Sequence, residues 1–397
     1  MLPMFNKLKN LPRDFILFLL AVGFIGFATS IVDSSFNNFL NEQFTISSLQ
    51  RSLMEVPREI PGFLVMFVAA MLFFMCNRTL ASFSQLLAGI GIACIGFFSF
   101  NFNIMLVWLF IYSTGQHLFL PLTSDIGMSF AKEGQIGKRL GQLQGAGNIA
   151  AIVGSFVIFI GFKYLNFNFT LSFVIAAIGF FLGSLMIYLM KKNKPIPAKT
   201  KFTFRKEYGL FYWLTVLYGT RKQLFMTFAP WVLVTIFHQK VQTIATLLTI
   251  GGVIGIFFKP ALGHAIDKFG ERTILAGEAL MLIVVCIGYG FSKKLFNPEI
   301  ALIVTFACYI TDQLLMSVGM ARATYLKKIA RNADELTSTL TTSVTLDHVF
   351  SISVALLGGL IWKVFGYEYI FLMGAVIAIT NFFSALRIPR EVSCKKL

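Results

Sequence analysis

Apolar runs of about 20 residues, separated by short polar or charged stretches, recur along the whole 397-residue chain. Each run is long enough to cross ~30 Å of hydrocarbon as a helix. The pattern predicts an all-α integral membrane protein with twelve transmembrane helices. The spans fall at about 14–40, 46–74, 80–100, 104–130, 139–162, 170–190, 207–237, 242–266, 273–291, 299–326, 335–362 and 369–388. The clearest interruption is Lys191–Lys206 (KKNKPIPAKTKFTFRK), cationic and holding Pro195 and Pro197. It reads as a basic linker, 191–206, between a six-helix bundle at 1–190 and a second at 207–397.

Composition agrees with the pattern. Hydrophobic residues make up 56% of the chain, and its mean hydropathy is +0.76. The net charge of +16 invites a nucleic-acid reading, but its placement opposes one. With the N-terminus inside, 23 of the 34 Lys and Arg fall in inside loops and tails, five fall outside and six lie within spans. That asymmetry is the positive-inside bias of membrane proteins, and it predicts both termini in the cytoplasm. The basic loops would then meet anionic lipid headgroups, with no nucleic-acid partner. The basic N-terminus runs into an apolar stretch without a small-residue cleavage site, as a retained first helix does. Five scattered cysteines without a CxxC pair predict neither a disulfide framework nor a metal site.

Polar groups inside hydrocarbon are expensive, at ~2.5–3.5 kcal/mol for a charged side chain at a helix centre on insertion scales. They therefore mark candidate sites. Arg58 and Glu59 lie in the second span, Gln116 and His117 in the fourth, Asn148 in the fifth and Arg221 in the seventh. Gln313 lies beside Asp312 in the tenth span, and Asp347 beside His348 in the eleventh. This layer sits at the depth where transporters bind substrate. Arg221 is a candidate clamp for an anionic group, because guanidinium binds carboxylate or phosphate bidentately. Its neighbour Lys222 points about 100° away and serves a different partner. Asp33 and Asp312 are the proton-coupling candidates, since a desolvated carboxylate holds its proton more tightly. The alternative for both is permanent pairing with Arg or Lys. His117 and His348 could relay protons or pack as neutral rings. Arg51, Glu55, Arg58 and Glu59 share one helical face, as a charged wall or as internal ion pairs, with Pro57 and Pro61 interrupting the helix.

Between the eighth and ninth spans runs Gly263-His264-Ala265-Ile266-Asp267-Lys268-Phe269-Gly270-Glu271-Arg272. Its glycines permit a tight turn. The halves also repeat weakly. Phe162-Lys163 matches Trp362-Lys363, and Gln116 matches Gln313, while the first-half counterpart of the loop, Met75-Cys76-Asn77-Arg78, is degenerate. The loop spacing, the six-plus-six pattern and the basic linker together resemble the major facilitator superfamily over the whole chain. Glu271 departs from the family pattern, which usually has a basic residue there. The resemblance implies two six-helix bundles flanking a central cavity and alternating access by rocking. It further implies a conformational latch built from Gly263, Asp267, Lys268, Gly270 and Arg272, with Asp267 pairing to Arg322 and to the start of span five near Lys138-Arg139.

These readings converge on a secondary transporter, not an enzyme. It would be a monomer in the plasma membrane, moving a small polar or anionic solute with protons and requiring no cofactor. No GxxxxGK[ST] loop for nucleotide occurs. A proton-driven drug efflux antiporter is the alternative within transport, although span five lacks the Gly-Pro element of many such antiporters. An intramembrane enzyme using His117 or His348 with a carboxylate is the alternative from another class.

Overall fold

A computed structural model describes residues 12–71, 75–131, 135–191 and 205–389. Most of the predicted linker, the basic tails and the end of the second predicted span lie outside these residues. The described chain is helical: α1 (Arg13–Phe44), α2 (Ser48–Leu53), α3 (Glu55–Met71), α4 (Asn77–Phe98), α5 (Phe102–Ser129), α6 (Ile136–Tyr164), α7 (Phe169–Tyr188), α8 (Gly209–Thr235), α9 (Val241–Leu295), α10 (Pro298–Leu315), α11 (Gly319–Ile329), α12 (Ala333–Phe365) and α13 (Tyr367–Ala385).

Nine helical stretches among the described residues are long and apolar enough to cross a membrane. One of these, α9, runs 55 residues but breaks at Gly270, whose φ of 78° and ψ of 160° leave the helical region. Glycine alone reaches that conformation without strain, so the turn expected from the loop sequence falls at Gly270. The charged α2–α3 segment and α8 are absent from the nine. Around the second span the interruption differs from expectation. The helix stops at Met54, and Pro57 sits in the first turn of α3, where its missing N–H costs nothing. Pro61 is the proline inside that helix.

Helix starts are set by side chains that accept the orphan N–H groups of the first turn. Asn101, Asn168, Asn297 and Asn332 each cap the helix that follows, and Ser47 with Gln50 forms a reciprocal capping box.

The chain groups into two units. Met1–Phe39, Leu64–Ala198 and Val241–Gly252 bound the first; Leu40–Phe63, Lys199–Lys240 and Val253–Leu397 bound the second. In the first unit, small residues bring backbones together. A Cβ on Gly26 would lie 2.5 Å from the Gly147 carbonyl oxygen, and one on Gly154 would lie 2.5 Å from that of Phe27. These contacts cross α1 over α6. Phe39, Phe169 and Phe173 then close the core with edge-to-face rings 5.1 and 5.7 Å apart. Gly141 and Gly145, in contrast, face open space. Gly154→Val is therefore expected to cost ~1–3 kcal/mol and to lower the melting temperature in detergent, whereas Gly141→Ala leaves it unchanged or raised.

The second unit is organised about α8, which is buried on nearly every face. A helix apolar all round belongs to an interior. Phe225 packs against Tyr289 and Phe371, Phe228 against Trp362, and Trp231 is fully buried.

Candidate functional site

Three consecutive residues of α8 send polar side chains to four different helices. A helix turns 100° per residue, so Arg221, Lys222 and Gln223 cannot share a partner. Arg221 reaches Asp312 of α10 at 3.2 Å and Glu278 of α9 at 3.7 Å. Lys222 bonds Asp347 of α12 at 2.6 Å. Gln223 donates to Glu55 of α3 at 2.9 Å and to Thr227. A Cβ at Gly219 would collide with the Asp347 carboxylate, so glycine is required where α12 presents that acid.

The Arg221 group is deeply buried. Arg221, Asp312, Glu278 and Arg322 are each 6% exposed or less. Arg322 reaches Glu278 at 3.9 Å and lies 3.4 Å above the Tyr218 ring, whose hydroxyl donates to the Met316 carbonyl at 3.0 Å. Two cations face two acids, so the cluster is formally neutral. Its contacts are loose. Nε and Nη2 of Arg221, both carboxylate oxygens of Asp312 and Oε2 of Glu278 are buried without a hydrogen bond. Buried ions are costly, and that cost is repaid only by good geometry and saturated hydrogen bonds. These pairings forgo part of that return.

Two further constellations belong to the same unit. Glu59 and His348 meet at 2.9 Å between Oε2 and Nδ1, both buried. Arg51 and Glu55 form a fully buried ion pair, and Arg58 approaches the same carboxylate at 3.3 Å. Arg51 and Arg58 thus both lie against Glu55. Glu59 turns to His348 instead. Gln313 is half-buried beside Asp312.

In the first unit the candidates are dispersed. His117 Nδ1 lies 3.0 Å from both the hydroxyl and the carbonyl of Ser113 one turn earlier. Gln116 keeps a buried Nε2 without a hydrogen bond. Asn148 contacts the Gly252 carbonyl at 3.4 Å. Asp33 is exposed.

The Gly263–Arg272 loop is arranged differently from the expected latch. Arg322 stands against Glu278 and Tyr218, not Asp267, which is exposed, as is Lys268. The reason is position: Glu278 lies about two turns beyond the Gly270 break, within reach of Arg322 from inside the unit. Glu271, the residue that departs from the family pattern, is 3% exposed and pairs with Lys328 of α11 at 2.8 Å. Arg272 donates to the Ile388 carbonyl at 3.3 Å. The cation that faces this acid comes from α11. Lys328→Glu is expected to lower the melting temperature, and adding Glu271→Lys to restore it. A double variant no more stable than the single one would refute the pairing.

Sequence reasoning passed over Glu278 and Gln223. Glu278 was legible, as the lone acid in the apolar 273–291 run, by the rule that singled out Asp312. Nothing in the sequence marks Gln223 apart from its place beside Arg221 and Lys222.

Residues 18–346 match the Major Facilitator Superfamily. An MFS-type transporter of Methanocaldococcus jannaschii is 26% identical over 257 residues, which is 62% of this chain and 62% of that relative. The matched region thus spans less than two thirds of that relative's length. The nucleoside transporter NupG, as a crystallised mutant, superposes with a TM-score of 0.76 at 11% identity, covering 94% of this chain and 99% of the other. A D-xylose-proton symporter superposes with a TM-score of 0.72 at 15% identity, covering 97% and 99%. At these identities the solved structures establish the fold alone.

Proposed function

The chain belongs to the major facilitator superfamily, a family of membrane transporters, and from that premise we propose that it carries a small polar or anionic solute together with protons, by alternating access. The observation that carries this reading is the loose, neutral, buried cluster of Arg221, Asp312, Glu278 and Arg322. A group of ions kept at such cost and without saturated geometry suits exchange of partners better than cohesion. A proton taken up by Asp312 makes the cluster positive by one and loosens Arg221. The freed guanidinium then favours an anion or a polar acceptor. Loading of proton and solute is thereby linked in one site. Glu59 and His348 form a second carboxylate–imidazole pair through which a proton can pass.

On this reading the protein is a plasma-membrane monomer with both termini cytoplasmic. Gln313, Asp347, Gln116, His117 and Asn148 supply further polar contacts to the solute, and Asp33 is a second proton site. The Gly263–Arg272 loop acts in the conformational cycle, with Asp267 engaging in another state of that cycle.

The test uses purified protein in vesicles loaded with the pH dye pyranine. Organic anions, sugars, amino acids and lipophilic cations are added outside in turn. At least one anion or polar solute is expected to change internal pH in a protein-dependent way. Response to lipophilic cations alone would move the assignment to drug efflux. Solute flux without any pH change would remove proton coupling.

A further inference from the structure

Five cations in or beside the spans of the second unit have a carboxylate within 4 Å: Arg51, Arg58, Arg221, Lys222 and Arg322. Lys259 of α9 has none among the described residues. The stripe of α9 turned into its unit contains Gly255, Leu262 and Ile266, all buried. With 100° per residue, Leu262 and Ile266 fall within about 20° of Gly255, and Lys259 falls about 40° from it. The opposite face carries Val253 and Phe257, the latter 75% exposed, about 160° and 200° away. Lys259 thus belongs to the interior side of the helix, yet it is exposed. Its stem lies over Gly255 beside Leu314: a Cβ built at Gly255 would meet Lys259 Cε at 3.8 Å and Leu314 Cδ2 at 4.0 Å.

Depth removes the simplest alternative. Lys259 stands seven residues before Ile266, where the eighth predicted span ends, or ~10 Å along the helix. A lysine stem of roughly 6 Å cannot carry its ammonium that far to a headgroup region. An ammonium at hydrocarbon depth, on an interior stripe, exposed and without a carboxylate partner among the described residues, calls for an anion from outside the chain.

We propose that Lys259 is an anion-binding residue that receives a carboxylate or phosphate group of the transported solute, the Leu314 side of α10 forming one wall of its site. The inference rests on the transport reading for the ligand's role as cargo, and it assigns charge recognition to a residue outside the Arg221 cluster. Arg221 is held by Asp312 and Glu278 in this state, whereas Lys259 is available before any proton arrives. A lysine ammonium is a compact, hydrated point charge and suits a first contact that must later release its anion.

Two measurements test it without requiring transport. In the first, Lys259→Cys is treated with the negatively charged sulfonatoethyl methanethiosulfonate and compared with the parent by intact mass. One extra adduct is expected, because the reagent acts from water. No extra adduct would place the position in lipid and overturn the proposal. In the second, melting temperatures are recorded with succinate, benzoate, glucose 6-phosphate and inorganic phosphate, and with glucose and arginine as neutral and cationic controls. A bound ligand stabilises the native state. At least one anion is expected to raise the melting temperature of the wild type, with apparent affinity weakened tenfold or more in Lys259→Met and kept within threefold in Lys259→Arg. An anion shift unchanged in Lys259→Met, or shifts by glucose or arginine alone, would overturn the proposal while leaving the transport reading standing. Repeating the titration with added phosphatidylglycerol separates the sources: competition by the lipid would identify a headgroup phosphate as the occupant and overturn the cargo assignment.

Discussion

Arg221→Leu is expected to be the most destabilising single substitution in the second unit. The guanidinium is 2% exposed and lies against Asp312 at 3.2 Å and Glu278 at 3.7 Å. Removing it leaves two buried acids facing one cation, Arg322. Breaking a buried pair from one side costs ~3–5 kcal/mol, because the remaining ion stays desolvated without compensation. Replacing both partners by apolar groups of similar volume is commonly neutral or better. The melting temperature in detergent should therefore fall sharply in Arg221→Leu and recover by at least half in Arg221→Leu/Asp312→Leu. The double variant is expected to fold and yet show no substrate-dependent proton flux. A single variant as stable as the parent would mean that the cluster carries little electrostatic energy, and that its acids are held by something other than Arg221.

Much of this organisation was legible in the sequence, and the reasons are physical. Hydrocarbon thickness imposes a length on every span, so apolar runs separated by short polar breaks are readable without any tertiary information. The Gly270 turn was legible because positive φ demands glycine. Arg221, Asp312, Asp347 and His348 stood out because charge in hydrocarbon is costly wherever it occurs. The pairings were less accessible. That Arg221 goes to Asp312 and Glu278, Lys222 to Asp347 and Glu59 to His348 depends on which faces of α3, α8, α9, α10 and α12 meet, and a helical period gives only the angle between neighbours on one helix. The divergence of Lys222 from Arg221 followed from that angle; the identity of its partner did not. The expected Asp267–Arg322 contact was carried over from a family pattern, and an acid two turns further along, Glu278, has the closer claim on Arg322. Lys259 carried the same signal as Arg221, a charge within an apolar span. Its distinction, the lack of a carboxylate partner among the described residues, emerges only once the other cations are paired.

These pairings bear on how binding and conformational change are joined. α8 holds acids on α3, α10 and α12 through adjacent residues, so a shift of one contact is felt along a single rigid element by the others. A change of charge at Asp312 therefore acts next to the pairs formed by Lys222 and Gln223. That is the kind of element a proton can bias, since a ligand moves an equilibrium only through differential interaction with its states.

Asp312→Asn isolates that step. The amide keeps the size of the carboxylic acid and has no charge, so the cluster is fixed at the formal charge it has when Asp312 is protonated. Arg221 retains Glu278, and folding should survive better than in Arg221→Leu. In pyranine-loaded vesicles, the variant is expected to lose at least nine tenths of the substrate-dependent proton flux. Downhill exchange of the same solute should continue, now with little dependence on pH between vesicle interior and bath. Asp312→Glu, which restores a titratable group one methylene further out, should recover part of the proton flux, and this separates lost charge from lost packing. If Asp312→Asn kept wild-type proton flux, Asp312 would be a structural counter-ion of Arg221 and the coupling would have to run through another carboxylate, with Glu59 and its partner His348 next in line.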